Sequence, residues 1–582
     1  MSLEKQYKLD GLYFGRIGKL LRPFWTSRDS RRAWLFSALL FGMVPLYSMM
    51  GLRVAELQGQ VANALLGQHS GLFVHLLVLT GVFALVRTGT EVVQQLLDAR
   101  IIVDWRRHLT TQLTDQYLAR RTYYEILTTE SVDNPDQRIQ MEALPFCQMF
   151  ALMPRMLLGA LMDMTLQVGL LYSLSPLLFV VTVVFIAVRF LVTLFIYTPT
   201  IRLNYNLTLK EADLRFGLLQ VREHGESVAL YRGEQAERRQ ILNRLGSTLK
   251  AQWHQMRYLS FAAASSGLVM AVWAVLPNAI LGPLFLEHQL NYGSIATATA
   301  AAATLLSAVG QIEAFIPILA ISAPSVVRLA EVSEAYEALE HAPVSTAQVP
   351  RIQFATGPVL DIQDMTLLTP GGERALIKKL NLKVGRHQSV AVAGMTGVGK
   401  SSLLRGMAGL WTRGEGLIVL PPPDQVFFLP QKPYMVLGTL RDQLTYPWRG
   451  AQHQDDERLQ SYLEQVMLGA LTERFAGGLD AVQNWSHTLS LGEQQRLGFC
   501  RLLLNPGPYV FLDEATSAVD VRTEEHLFGM LRRAGCAFIS VCHRPSAIEL
   551  HERVLFLKEE GEWEIRERPG GASAAAEVLV RA

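Results

Sequence analysis

The run Gly394-Met395-Thr396-Gly397-Val398-Gly399-Lys400-Ser401, followed by Ser402, is the stretch whose residue types and spacing imply chemistry most directly. It fits G-x-x-x-x-G-K-[ST], a loop that holds phosphate. Glycines let the backbone close around a phosphate chain. Backbone N–H groups and the start of the next helix then face the anion. Lys400 has the reach and charge for the outer phosphates, and the Ser401 hydroxyl suits Mg²⁺. Val390-Ala391-Val392 reads as a short buried strand leading into the loop. Taken alone, the octet is also compatible with a Gly-rich strand-to-helix turn carrying an incidental lysine.

Further residues of the same kind follow in order. Gln431 comes after the apolar run 426–429. Leu489-Ser490-Leu491-Gly492-Glu493-Gln494-Gln495-Arg496 opens an amphipathic helix. Residues 509–512 form a buried strand ending in Asp513-Glu514, and Thr516-Ser517-Ala518-Val519-Asp520 comes next. A last strand at 537–542 ends at His543. Carboxylates at such a strand end lie beside the phosphate loop, because parallel sheets bind ligands at strand C-termini. Each feature alone is common; the ordered set is not.

The elements that must position these groups occupy only the second half of the chain. Of the 582 residues, 50% are hydrophobic and 18% charged, which calls for a search for membrane spans. The net charge of +2 leaves no electrostatic footprint for a nucleic-acid partner. The four cysteines are scattered without a C-x-x-C pair, so neither a zinc site nor a disulfide framework is expected. Six apolar segments are long enough to cross a bilayer: 34–52, 72–97, 146–174, 177–197, 259–286 and 295–321. Arg and Lys crowd the N-terminus and the two long loops, and are absent between segments three and four and between five and six. The positive-inside rule therefore puts both termini and both long loops in the cytosol. Tyr13, Ile17, Leu20, Leu21 and Phe24 recur at helical spacing and predict a helix in the membrane interface, with an ordinary amphipathic surface helix as the alternative.

The long loops read as helical extensions beyond the bilayer. Asn134-Pro135-Asp136-Gln137 predicts a capped helix start, with Asn134 and Gln137 forming a capping box. Residues 223–234, which include Glu226, predict a second short helix at a loop tip. Pro343, Pro350, Gly357 and Pro358 mark a linker. After it, strand-length runs alternate with helical patterns, the signature of a mostly parallel α/β sheet. The expected domains are 1–340 in the membrane, a linker at 341–358, a nucleotide-binding domain at 359–569 and a tail at 570–582.

The ordered motifs resemble those of ATP-binding-cassette (ABC) transporters, and the chain is similar to them along nearly its whole length. D-N-P-D-Q-R-I at 133–139, E-S-V-A-L-Y-R-G at 226–233 and L-P-Q-K-P-Y-M-V-L-G-T-L-R-D-Q-L-T-Y-P at 429–447 are similar to half-transporters related to the peroxisomal acyl transporters. Their bacterial relatives include vitamin B12 and peptide importers. The short gap from Lys400 to Gln431 also fits that group. The membrane half is similar to the SbmA/BacA type of uptake protein, which has no ATPase domain. The implied fold is an α-helical membrane domain with six transmembrane helices, ABC exporter-like, plus an α/β P-loop ABC ATPase domain.

The resemblance implies ATP and Mg²⁺ as cofactors and a role for each motif residue. Residues 394–402 would hold the phosphates, and Ser401, Gln431 and Asp513 would serve Mg²⁺ directly or through water. Glu514 would polarise the attacking water, and His543 would sense the γ-phosphate. Ser490, Leu491, Gly492 and Glu493 form the signature that would meet ATP held by a second subunit, with Asp520 coupling the two sites. The loop tips near Asn134, Asp136 and Glu226 would transmit closure to the spans. Thr369 stands where such ATPases usually stack the adenine on an aromatic ring. Leu491 stands where glycine is commoner.

One phosphate loop and one signature per chain make a homodimer the economical assembly, with a heterodimer as the alternative. The sequence thus predicts an ATP-hydrolysing transporter of a cobalamin-like or peptide-like solute in a bacterial inner membrane. The alternatives are an acyl-CoA or lipid transporter, or a proton-coupled permease with a regulatory ATPase domain. A charge at the bilayer centre costs roughly 2.5–3.5 kcal/mol, so Arg87, Glu91, Arg155, Asp163, Arg189 and Glu313 should face a polar cavity or one another. Arg189 and Glu313 are candidates for the translocation path, and Arg87 and Glu91, one turn apart, for a pair. The small residues of 295–310 predict close helix packing in segment six.

Overall fold

A computed structural model describes residues 11–567, apart from 29, 130–131, 133, 341–349, 370–371 and 448–454; the side chains of 194, 197–198, 201, 205 and 313–324 also lie outside the description. The tail at 570–582 and Glu313 therefore fall outside the described residues and side chains. The chain forms two compact units, 1–342 and 343–582.

The first unit is helical: α1 (Gly11–Thr26), α2 (Ser30–Leu66), α3 (Ser70–Leu118), α4 (Thr122–Thr129), α5 (Pro135–Leu174), α6 (Pro176–Glu223), α7 (Gly225–Leu230), α8 (Glu234–Leu286) and α9 (Tyr292–Glu340). Among the described residues, six helices are long and apolar enough to cross a membrane, and all six apolar segments fall in helices α2, α3, α5, α6, α8 and α9. Several run far past a bilayer's thickness at about 1.5 Å per residue. The 53-residue α8 does so with a charged N-terminal half.

Close packing replaces a hydrophobic driving force between the spans. Gly59 of α2 meets α9 so closely that an added Cβ would lie 2.5 Å from the Gly293 carbonyl oxygen. Asn63 seals the crossing, accepting from the Gly293 N–H at 2.6 Å and donating to Asn291 at 3.0 Å. Farther along α9, Ala298, Ala301, Ala302, Leu305 and Leu306 are buried, as the small-residue stretch predicts.

Three expectations need correction here. The apolar face of α1 does not face lipid: Tyr13, Leu20 and Phe24 are buried in a cluster with Trp105, Phe146 and Val326, and Phe24 stacks on Trp105 at 5.5 Å. Arg87 does not pair with Glu91. Its guanidinium lies over the Tyr47 ring and donates to the Tyr47 hydroxyl at 3.3 Å, while Glu91 accepts from Gln95. Asn134 makes no capping box: it sits in the left-handed region (φ 43°) with no side-chain cap, although Pro135 opens α5 as expected. Residues 353–356, within the expected linker, form a strand.

Charged residues in the spans find protein partners. Arg155 of α5 donates to Asp98 of α3 at 2.6 Å. Arg189 of α6 reaches the Leu306 carbonyl of α9 at 3.4 Å, so it turns toward protein. At the far end of α9, Glu331, Glu334, Glu337 and Glu340 are met by Arg138, Arg16, Lys19 and Arg120. Acids three apart drift around a helix, so one helix end is held from several sides.

The second unit has two sheets. β1 (Gln353–Thr356), β5 (Gly414–Leu420), β2 (Leu360–Leu368) and β3 (Ala375–Val384) form the smaller, in that order, with only β1 and β5 parallel. The larger has the order β10 (Trp563–Glu567), β9 (Arg553–Leu557), β4 (Ser389–Gly394), β8 (Ala537–Val541), β7 (Tyr509–Asp513) and β6 (Val426–Leu429). All of its neighbours are parallel except β10 against β9. Strands β4, β7 and β8 are almost wholly buried, which explains their continuous apolar runs. Helices α10 (Lys400–Met407), α11 (Leu440–Thr445), α12 (Asp456–Gln465), α13 (Leu471–Arg474), α14 (Trp485–Thr488), α15 (Leu491–Leu504), α16 (Val521–Arg533) and α17 (Pro545–Glu549) complete the unit.

Candidate functional site

Four neighbouring parallel strands deliver the site. β4 ends in the phosphate loop, β8 leads to His543, β7 ends at Asp513-Glu514, and Gln431 follows β6. All four sets of residues therefore emerge from the same, C-terminal edge of the sheet, where open α/β sheets bind ligands.

The loop has the backbone its sequence requires. Gly394, Gly397 and Gly399 have φ of 144°, 88° and 105°, where other residues are strained. At Gly394 a side chain is excluded twice over, since a Cβ would lie 2.3 Å from the Leu557 carbonyl oxygen. Lys400 and Ser401 open α10. The Lys400 ammonium donates to the Gly394 and Met395 carbonyls at 2.8 and 2.7 Å. Burial pushes its pKa below the ordinary lysine value, while Glu514 and Asp513 work the other way.

The Ser401 hydroxyl donates to Asp513 at 3.0 Å. Burial raises the Asp513 pKa above the usual carboxylate value, against the Ser401 hydrogen bond. Glu514 follows in the left-handed region (φ 48°), a conformation uncommon outside glycine. One carboxylate oxygen accepts from the Gln431 amide at 2.9 Å, and the other from His543 Nε2 at 2.8 Å. The structure thus brings Gln431, Glu514 and His543 into direct contact, and Ser401 and Asp513 beside them.

The run 489–496 starts α15 as read. Ser490 caps it, accepting from the Glu493 N–H, and the Glu493 carboxylate returns to the Ser490 N–H at 2.8 Å, a complete capping box. Glu493 also meets Arg474 at 3.0 Å. Leu491 is exposed, and Gly492 packs so tightly that a Cβ would lie 2.7 Å from the Ala518 carbonyl oxygen. Asp520 caps α16, accepting from the Thr523 N–H at 3.0 Å and its hydroxyl at 2.7 Å, which lowers its pKa. Thr369 shapes the β2–β3 turn: its N–H donates to the Arg374 carbonyl at 2.9 Å and its carbonyl accepts from Gly372 at 2.8 Å. In the first unit, Asn134 and Asp136 mark the start of α5, and Glu226 lies in the first turn of the six-residue α7.

Sequence reading missed Gln495, Arg501 and Arg544. Gln495 is fully buried and bonds to the Gln431 and Glu514 carbonyls at 2.9 and 3.4 Å. Arg501 donates to the Tyr434 carbonyl at 2.6 Å, holding the segment after Gln431; burial lowers its pKa to about 10. Arg544, next to His543, donates to the Ser517 and Val519 carbonyls. The only signal available was position: Gln495 stands inside a recognised run, but consecutive glutamines on a helix read as a solvated face.

Residues 20–285 match the family described as ABC transporter transmembrane region 2, and residues 377–517 match the family described as ABC transporter. An uncharacterized ABC transporter ATP-binding protein of Synechocystis is 34% identical over 548 residues, covering 91% of this chain and 81% of that protein. The lysosomal cobalamin transporter ABCD4 of Mus musculus is 29% identical over 591 residues, covering 95% of each. The solved structure of a bacterial Atm1-family ABC exporter with ATP bound shares the fold, with a TM-score of 0.73 and 17% identity over 95% of this chain and 98% of that one.

Proposed function

Because this chain belongs to the ABC transporters, as a half-transporter related to the D sub-family whose membrane domain is fused to an ATP-hydrolysing domain, we propose that it moves a cobalamin-like or peptide-like solute across a bacterial inner membrane as a homodimer. The observation that carries the catalytic part is the grip on Glu514, held between Gln431 and His543 at the edge where the phosphate loop ends. The cobalamin-like assignment is supported by the likeness to a protein named as a cobalamin transporter. In this reading both termini and the two long loops are cytosolic, and the domains are 1–340 and 359–569.

Each residue then has a task. The N–H groups of 394–402 bind the phosphates, and Lys400 exchanges the Gly394 and Met395 carbonyls for phosphate oxygens. Ser401 and Asp513 offer a hydroxyl and a carboxylate 3.0 Å apart, hard oxygen donors that fit Mg²⁺. Mg²⁺, when bound, neutralises charge on the transferring phosphoryl group. Gln431 turns its amide nitrogen to Glu514, so its oxygen would serve Mg²⁺ directly or through water. Glu514 orients the attacking water and accepts its proton. Ser490 and Gly492 meet the ATP of a second copy through the N-terminus of α15. Asp136, Asn134 and Glu226, at the loop tips, pass closure to the spans, where Arg189 borders the path.

The test is a Glu514→Gln variant beside wild type in the same liposomes, assayed for ATP hydrolysis and for flux of cobalamin, peptide and acyl-CoA. Gln keeps the shape but removes the basic carboxylate. A primary transporter loses hydrolysis and flux together. Flux that persists down a substrate or proton gradient would mark a permease with a regulatory ATPase. Acyl-CoA as the sole stimulating solute would replace the cobalamin-like or peptide-like assignment.

A further inference from the structure

We propose that Gln495 and Arg544 are positioning residues that clamp the turn 516–520 from two sides, so that Asp520 follows the Gln431–Glu514 contact on one side and His543 on the other. The proposal rests on the ATPase reading above. The observation is how completely one short turn is engaged by groups from elsewhere. Gln495 donates to the Ser517 hydroxyl at 3.1 Å and accepts from the Ala518 N–H at 2.9 Å. The same amide nitrogen donates to the Gln431 carbonyl at 2.9 Å and the Glu514 carbonyl at 3.4 Å. Its orientation is fixed by these partners, because a flipped amide would set its oxygen against two carbonyls. From the segment after β8, Arg544 donates to the Ser517 carbonyl at 2.6 Å and the Val519 carbonyl at 2.7 Å. The Ala518 carbonyl lies against Gly492, where a Cβ would come within 2.7 Å.

The turn therefore has little freedom to move without α15 or the His543 loop. Gln495 stands on the helix that Ser490 caps, and its amide also touches the backbone of Gln431 and Glu514. A change at either the Glu514 pocket or the start of α15 is handed to Ser517 and Ala518, and through Val519 to Asp520. Neither Gln495 nor Arg544 needs to touch nucleotide for this. A misplacement of about 1 Å far from the reacting atoms costs on the order of a hundredfold in rate.

The experiment uses the full chain in liposomes. Gln495→Glu keeps the size and the acceptor but sets oxygen against the Gln431 and Glu514 carbonyls. Arg544→Lys keeps the charge but loses the two-pronged donor. Each should lower kcat for ATP by at least about tenfold, with KM within about twofold. Nucleotide binding should stay near wild type in both, and the thermal unfolding midpoint in Arg544→Lys, whereas the carboxylate of Gln495→Glu lowers the midpoint by itself because the site is fully buried. Residues that merely support the fold would lower kcat, binding and midpoint together, and that pattern overturns the proposal. So does a kcat within about twofold of wild type in both variants. If Gln495→Glu does not fold, Arg544→Lys and Ser517→Ala carry the same expectation, and normal turnover in both overturns it. Glu514→Gln run in parallel separates the two levels. If it hydrolyses ATP normally, the role given to Glu514 fails and takes the clamp with it. If it is inactive while the clamp variants are normal, the clamp alone fails.

Discussion

The Gln431 side-chain amide donates to the Glu514 carboxylate at 2.9 Å, on the oxygen that His543 does not use. Two neighbours thereby aim one carboxylate whose backbone is already set in the left-handed region. A hydrogen bond to a charged group contributes roughly 1.5–3 kcal/mol, which corresponds to about 10- to 100-fold if the contact is needed in the transition state. Gln431→Ala should therefore reduce kcat by that factor and leave equilibrium ATP binding within about twofold. An unchanged kcat would show that Glu514 is aimed without Gln431.

The Arg155–Asp98 pair joins α5 to α3, with the Asp98 side chain only 6% exposed. Removing one member of a buried pair leaves an uncompensated charge and costs roughly 3–5 kcal/mol, whereas replacing both by apolar residues is often neutral. Arg155→Met should thus lower the thermal midpoint and the monodisperse yield in detergent. Adding Asp98→Leu should restore most of the loss. A double variant as poor as the single one would mean that the pair is held by more than its charges.

How far these relationships were legible depends on range. The loop glycines, the strands around them and the capped start of α15 follow local rules, so their residues announced them. Gln495 and Arg544 work through partners far away in sequence, and nothing local distinguishes them from solvated side chains. The same holds in the spans. Charge cost alone said that Arg87 and Arg155 need partners; it could not say that Tyr47 and Asp98 supply them. Glu91 was the wrong choice for Arg87 because helix spacing permits a contact without requiring it. Asn134 was misread for a related reason, since a capping motif in sequence competes with the left-handed backbone adopted before Pro135. The apolar face of α1 was assigned to lipid because amphipathicity does not reveal whether its partner is bilayer or protein.

Ala301 is fully buried in α9, and Ala303, two residues on, is exposed. Overpacking a filled interior costs typically 1–3 kcal/mol and more for a large ring. Ala301→Trp should fail to give monodisperse protein, and Ala303→Trp should fold. If Ala303→Trp folds but does not assemble into dimers, the exposed side of α9 faces the second copy. If Ala301→Trp is recovered in normal yield, the small-residue packing of α9 is not required.

Gly492 carries the last expectation, because two uses of one residue meet there. It stands in the first turn of α15, where the helix start is offered to ATP, and it also lets α15 approach the Ala518 carbonyl. An added methyl at 2.7 Å from that oxygen forces backbone to move. The shift would separate Ser490 from the turn that ends in Asp520, without touching residues 394–402. Gly492→Ala should therefore keep ATP binding to the phosphate loop and lose hydrolysis by at least about tenfold. The same substitution at Gly246 of α8, where an added Cβ meets nothing within 4 Å, is the control. Alanine is the better helix former by about 1 kcal/mol, so Gly246→Ala should hydrolyse ATP as wild type does. Equal loss in both variants would point to a general effect on folding. Wild-type hydrolysis in Gly492→Ala would show that α15 and Ala518 need not approach so closely.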